Sequence, residues 1–96
     1  MLISTDNGFC IQGAVNFDNV MSWRRAGEKW ITDHAAMRSF VIDLSEVKDQ
    51  DSSCFALLLS LMRFAQKNQL TVSLTQVPIS MKQMGKMFGL SDFING

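Results

Sequence analysis

The chain predicts an α/β fold: a mixed sheet of about four strands, begun by an N-terminal hairpin and continued by strand–helix–strand units, with three to four helices. Three observations carry this. Asn7-Gly8 stands between two short apolar runs, and that dipeptide supplies the positive φ angles of a tight hairpin turn. Two later segments repeat apolar residues at spacings of three and four, as helix faces do. Phe40-Val41-Ile42 and Leu70-Thr71-Val72-Ser73-Leu74 are short runs rich in β-branched residues, as strands are.

Taken in order, Leu2 to Thr5 and Phe9 to Gln12 flank the turn Asp6-Asn7-Gly8, and Gly13 ends the second strand. Asn16 or Asp18 is placed to cap the next helix, where Asp18 also meets the positive end of the helix dipole. Val20, Trp23, Gly27, Trp30 and Ile31 make its apolar stripe, so both tryptophans are expected in the core. Arg24, Arg25, Glu28 and Lys29 lie mostly off that stripe, and the pattern dissolves over residues 32–36. Ser39 to Leu44 reads as a buried central strand, and the polar stretch Ser45 to Gln50 as a loop.

Asp51-Ser52-Ser53 then opens the strongest helix. Its core face is Cys54, Leu57, Leu58, Leu61, Met62 and Ala65; its narrower polar face is Ala56, Ser60, Arg63 and Lys67. Phe55, Leu59 and Phe64 border the core face and widen the apolar surface beyond what one sheet contact requires. Leu70 to Leu74 alternates as a strand. After Pro78, Ser80 is placed to cap a last helix carrying Met81, Met84, Met87 and Phe88, with Gly89 at its end. Leu90, Phe93 and Ile94 are expected to fold back onto the core.

Composition narrows the function. The 96 residues suit one domain. Nine basic side chains balance nine acidic ones, so there is no cationic excess to displace counterions from a nucleic acid. No apolar run is long enough for a bilayer and no secretory signal opens the chain, so a cytoplasmic protein with reduced Cys10 and Cys54 is expected. Two distant cysteines and His34 do not make a four-ligand zinc site. The single histidine leaves no serine with a recognisable base and orienting acid, and no GxxxxGK[ST] loop cradles a nucleotide. A non-catalytic protein without cofactor is expected.

The Asp51-Ser52-Ser53 corner follows the central strand, and open α/β sheets place their functional crevice at the carboxyl ends of strands. Two roles are open to its hydroxyls. They can cap the unpaired amides of the helix start, the ordinary use of serine there. Alternatively one can accept a phosphate, whose charge would meet the helix dipole and be opposed by Asp51.

The run Val41-Ile42-Asp43-Leu44-Ser45-Glu46-Val47, then Asp51-Ser52-Ser53, then the leucine-rich helix, resembles the STAS domain family. That is the fold of sulphate-transporter tails and anti-sigma-factor antagonists. Leu70 to Leu74, Val77-Pro78 and Met87-Phe88-Gly89-Leu90 are similar to the family's closing half, and Gly13 matches a glycine common before its first helix. The compact length and Ala56-Leu57-Leu58-Leu59 look most like the MlaB-type branch.

This resemblance implies a cytoplasmic accessory subunit docked on the ATPase of a phospholipid-transporting ABC complex. It would support assembly and ATP turnover for outer-membrane lipid asymmetry, and meet the membrane only through that complex. The expected contact is the corner Asp51, Ser52 and Ser53 with the helix edge Phe55, Leu59 and Arg63. Ser52 matches the hydroxyl residue of the MlaB-type motif. Ser53 matches the usual phosphoacceptor of anti-sigma-factor antagonists, which implies the alternative: a switch phosphorylated on Ser53 or Ser52 by an anti-sigma factor kinase. Two positions depart from the family pattern. Cys54 replaces the usual glycine, where a side chain is expected to hinder a partner backbone or alter the loop. Gln50 replaces the apolar residue before the aspartate.

Overall fold

The hairpin forms at the expected place but not by positive φ at Asn7-Gly8: neither residue adopts that conformation, and Gly8 is already the first residue of the second strand. In the structure, a computed structural model that describes residues 1–87, β1 (Leu2–Ser4) pairs antiparallel with β2 (Gly8–Ile11), Ile3 standing opposite Cys10. Gly8 has a different duty. A Cβ on it would lie 1.8 Å from the carbonyl oxygen of Val41, so only glycine lets the hairpin meet the neighbouring strand.

The chain continues as β3 (Gly13–Val15), α1 (Val20–Asp33), β4 (Ser39–Asp43), β5 (Val47–Gln50), α2 (Ser52–Lys67), β6 (Thr71–Thr75) and α3 (Ile79–Met87). The main sheet runs β1-β2-β4-β6, with β2, β4 and β6 mutually parallel. Both crossovers, β2 to β4 and β4 to β6, step the same way across it. Right-handed connections then put α1 and α2 on one face, where they pack against each other. Alternation aims Phe9, Ile11, Phe40, Ile42 and Leu74 at that face, to meet Trp30, Ile31, Leu57, Leu58 and Leu61 in one buried cluster. The expected α/β architecture, a four-stranded mixed sheet with three helices among the described residues, is what forms.

Both tryptophans are core residues with their ring N–H groups satisfied. Trp23 donates to the Ala14 carbonyl at 3.0 Å, and Trp30 donates to the Ser4 hydroxyl at 3.0 Å while packing between Phe9 and Phe40. The helices approach closely at Gly27, where a Cβ would sit 2.7 Å from Leu61 Cδ2. α2 ends in a Schellman turn: Leu70 N–H reaches Ala65 and Gln69 N–H reaches Gln66, with Gln69 itself at φ 61°.

Three further expectations are corrected. Residues 45–50 are not all loop: Val47–Gln50 is β5, paired parallel with β3 in a separate two-stranded sheet. Its polar sequence hides it, because neither end of the strand is buried and no apolar alternation is needed. Neither Asn16 nor Asp18 caps α1. The Asn16 carboxamide instead accepts from the Asp18 and Asn19 amides, shaping the turn that delivers the chain to Val20. Ser80 lies inside α3 rather than before it, and its hydroxyl accepts from Gln50 Nε2 at 2.8 Å. Met81 is buried as expected. Phe88, Gly89, Leu90, Phe93 and Ile94 lie outside the described residues, as do the side chains of Met84 and Met87.

The two tight glycines differ in what their Cβ would strike: backbone at Gly8, a side-chain end at Gly27. Gly8→Ala is expected to cost about 3 kcal/mol or prevent folding, because a strand must move. In Gly27→Ala, the helix-propensity gain of about 1 kcal/mol offsets most of the overpacking, leaving a loss near 1 kcal/mol. Urea denaturation of both variants checks the order; equal losses would mean that Val41 yields as easily as Leu61.

Candidate functional site

One carboxylate builds the corner. The chain leaves β5 at Gln50, and Asp51 takes an extended conformation (φ −117°, ψ −169°) as the N-cap of α2. Its Oδ1 accepts from the Ser53 amide at 2.8 Å and from the Ser53 hydroxyl, and its Oδ2 accepts from the Phe17 amide at 3.3 Å. Its own N–H donates to the Val15 carbonyl at 3.3 Å. Asp51 thereby ties the turn before α1 to the start of α2. The Ser53 hydroxyl, against partial desolvation and helped by the Ser53 and Phe17 amides, holds the carboxyl below the ordinary 3.8.

The six residues expected at the contact go to different places. Ser52 is exposed, as is Arg63, and Asp51 is half-buried. Ser53 is only 4 % exposed, with its hydroxyl committed to Asp51. Phe55, at 7 % exposure, belongs to the core cluster and not to an open helix edge. Leu59 is half-buried and turns toward β6, where it lines a groove with Met62, Leu70 and Val72. Ser52, Ala56 and Arg63 are exposed and, with the half-buried Leu59 at their border, spaced by four, three and four, form the outward stripe of α2.

Two residues that sequence reasoning did not select flank this corner. Phe17, whose amide binds Asp51, exposes 72 % of its surface, and Ile79, next to the serine bonded to Gln50, exposes 74 %. A signal was available for both. Phe17 sits in the polar turn Asn16 to Asn19, off the stripe of α1, and Ile79 precedes the residues that bury Met81. A large apolar residue outside any buried periodicity has no core position to fill.

Cys54 does not obstruct the surface, contrary to what replacing a glycine suggests. Its side chain points inward, fully buried, and burial, with the Asp51 charge adding, pushes the thiol up to about 11. Burial also raises Cys10, with Asp43 and Glu46 contributing. His34 acts locally: it stacks on Trp30 at 4.0 Å, and its Nδ1 lies 2.7 Å from the Trp30 carbonyl. Among the described residues no three His, Cys, Asp or Glu side chains gather as a metal site, and no helix is long and apolar enough to cross a membrane.

With this architecture in place, comparison with known proteins is direct. A family model described as "Mlab, STAS domain" matches residues 9–95. The chain belongs to the STAS domain family. Within that family the matching model is of the Mlab type, in agreement with a resemblance that runs over nearly the whole chain and is strongest from Phe40 to Leu90. A search of curated proteins finds no significant match.

The cap yields a pH prediction. A carboxyl with a depressed folded pKa stabilises fully above its unfolded value and loses that contribution as pH falls through the folded one. Asp51→Ala is therefore expected to lower the melting temperature near pH 7, with the gap to wild type closing as the pH falls through the folded pKa of the Asp51 carboxyl. A gap that persists in acid would mean the loss is not that of the ionised cap. The thiols give another. Buried and protonated, Cys54 is expected to react with an aromatic disulfide at least about 100-fold more slowly than a free thiol near pH 8, and only on unfolding. Prompt labelling of the native protein would contradict that burial.

Proposed function

We propose that this domain is a non-catalytic, cytoplasmic accessory subunit that docks on the ATPase of a phospholipid-transport ABC complex of the Mla type, supporting its assembly and ATP turnover. Membrane contact is then indirect, through the complex. The observation that carries the reading is the outward stripe Ser52, Ala56, Leu59 and Arg63, begun at a rigid corner and flanked by the exposed Phe17 and Ile79. Exposed aromatic and branched apolar side chains beside a polar rim are the usual anchors of a protein interface. Family membership supports the partner class.

On this reading Asp51 and Ser53 set the corner and are not themselves seated in the partner. Ser52, Phe17 and Ile79 make the contact, with Leu59 and Arg63 extending it along α2. A subunit that binds the assembled, turnover-competent arrangement better than the separate ATPase shifts the population toward it by that difference in affinity. The burial of Ser53, with its hydroxyl bound to Asp51, supports docking over a switch phosphorylated at that position. A phosphate there would displace the cap and place two negative charges beside Asp51.

Phe17→Ser combined with Ser52→Arg changes only exposed side chains, so the melting temperature should hold. Affinity for the cognate ATPase, measured by titration, is expected to fall at least about tenfold, or roughly 1.4 kcal/mol. Unchanged affinity would sink the docking surface. Intact-mass measurement of protein from its native cell tests the alternative, since a phosphorylated fraction on Ser52 or Ser53 would favour the kinase-driven switch.

A further inference from the structure

The docking stripe leaves another feature of the helix pair unused. Farther along, α1 and α2 enclose an open groove of about 770 Å³, lined by Arg24 and Glu28 on one side and Ser60, Arg63, Phe64 and Lys67 on the other. At 1.5 Å per residue, its centre lies about 18 Å along α2 from Ser52. The groove holds three cations against one carboxylate. Arg24 pairs with Glu28 at 3.1 Å, whereas Arg63 and Lys67 have no acidic partner among the described residues. Four of the nine acids, Asp43, Glu46, Asp49 and Asp51, lie in the segment from the end of β4 to the start of α2, and none of them lines the groove. Formal neutrality thus conceals a local cationic excess in the groove.

From this juxtaposition of unpaired cations and a half-buried aromatic ring, we infer that the groove between α1 and α2 is a second interaction surface, which receives an acidic, Glu- or Asp-bearing segment of a protein partner. Three features select that occupant. The excess of positive charge calls for carboxylates, and Arg63 and Lys67 gain Coulomb energy there without breaking an existing pair. Phe64 offers an apolar floor that a lone inorganic anion would leave unused, and the groove is far larger than such an ion. A planar lipid surface is met by projecting groups, whereas these cations line a concavity between two helices. So small an excess is also too little for a nucleic acid, whose binding scales with the phosphates neutralised. Arg63 is common to the groove and the docking stripe, whereas Arg24 and Lys67 lie outside the stripe, so a charge reversal at those two separates this inference from the ATPase reading.

The test uses a labelled peptide of repeating Glu-Glu-Leu and a Gln-Gln-Leu control, titrated into the full chain by fluorescence anisotropy. Amide NMR shifts report where the peptide sits. The acidic peptide is expected to bind, to move the amides of residues 24–28 and 60–67, and to weaken with added salt. Reversing the groove's charge with Arg24→Glu plus Lys67→Glu is expected to weaken it at least about tenfold while leaving affinity for the ATPase intact. Three results would overturn the assignment: equal binding of the neutral peptide, shifts confined to the corner at residues 51–53, or binding to phosphatidylglycerol vesicles with none to the peptide. Loss of ATPase binding in the same double variant would also count against it, by merging the groove with the docking stripe.

Discussion

The structure turns on the hydrogen bonds gathered by the Asp51 carboxylate. With two oxygens it holds the first turn of α2 and the turn that leads into α1, while its backbone amide is anchored on β3. Segments more than thirty residues apart in sequence thus meet at one ionised group. Because aspartate does the capping, neighbouring Ser52 is released from it. A serine at a helix start is ordinarily spent on the backbone; here the task falls to the Asp51 carboxylate, which accepts from the Ser53 amide and hydroxyl, and Ser52 is left exposed. The same bonds that make the corner rigid decide which of its groups a partner can touch.

Much of this could be read beforehand, and the reasons are physical. The hairpin, the three long-range parallel strands and the helical faces are written in periodicity, which reports burial. Trp23, Trp30, Leu57, Leu58 and Leu61 are legible because each must be buried for its helix to pack. β5 escaped because its side chains are largely exposed and its pairing with β3 is satisfied by backbone alone. Phe55 is buried although the helix pattern puts it at an edge, for a related reason. A helix wheel measures angle but not depth, and a residue at the edge of the stripe is buried if a neighbour comes close. Phe17 shows the converse, an aromatic that no periodicity claims.

Charge was legible only as a total. Equal numbers of acids and bases rule out a strongly polar field overall. They say nothing of how a fold sorts them. By placing α1 beside α2, the two crossovers collect Arg24, Arg63 and Lys67 from segments about forty residues apart, with Glu28 the one carboxylate among the groove's lining residues. A local excess of one sign is a property of topology that a neutral sum hides.

The contact at Gly27 has a bearing beyond packing. This glycine lies between Arg24 and Glu28 in sequence and touches Leu61, which neighbours Ser60 and Arg63. The distance between the two helix axes, and with it the breadth of the cleft above them, is therefore governed by a missing methyl group that no visitor to the cleft would ever meet. Selection for a wider or narrower ligand need not alter any lining residue. A single concealed position can regauge the whole recess.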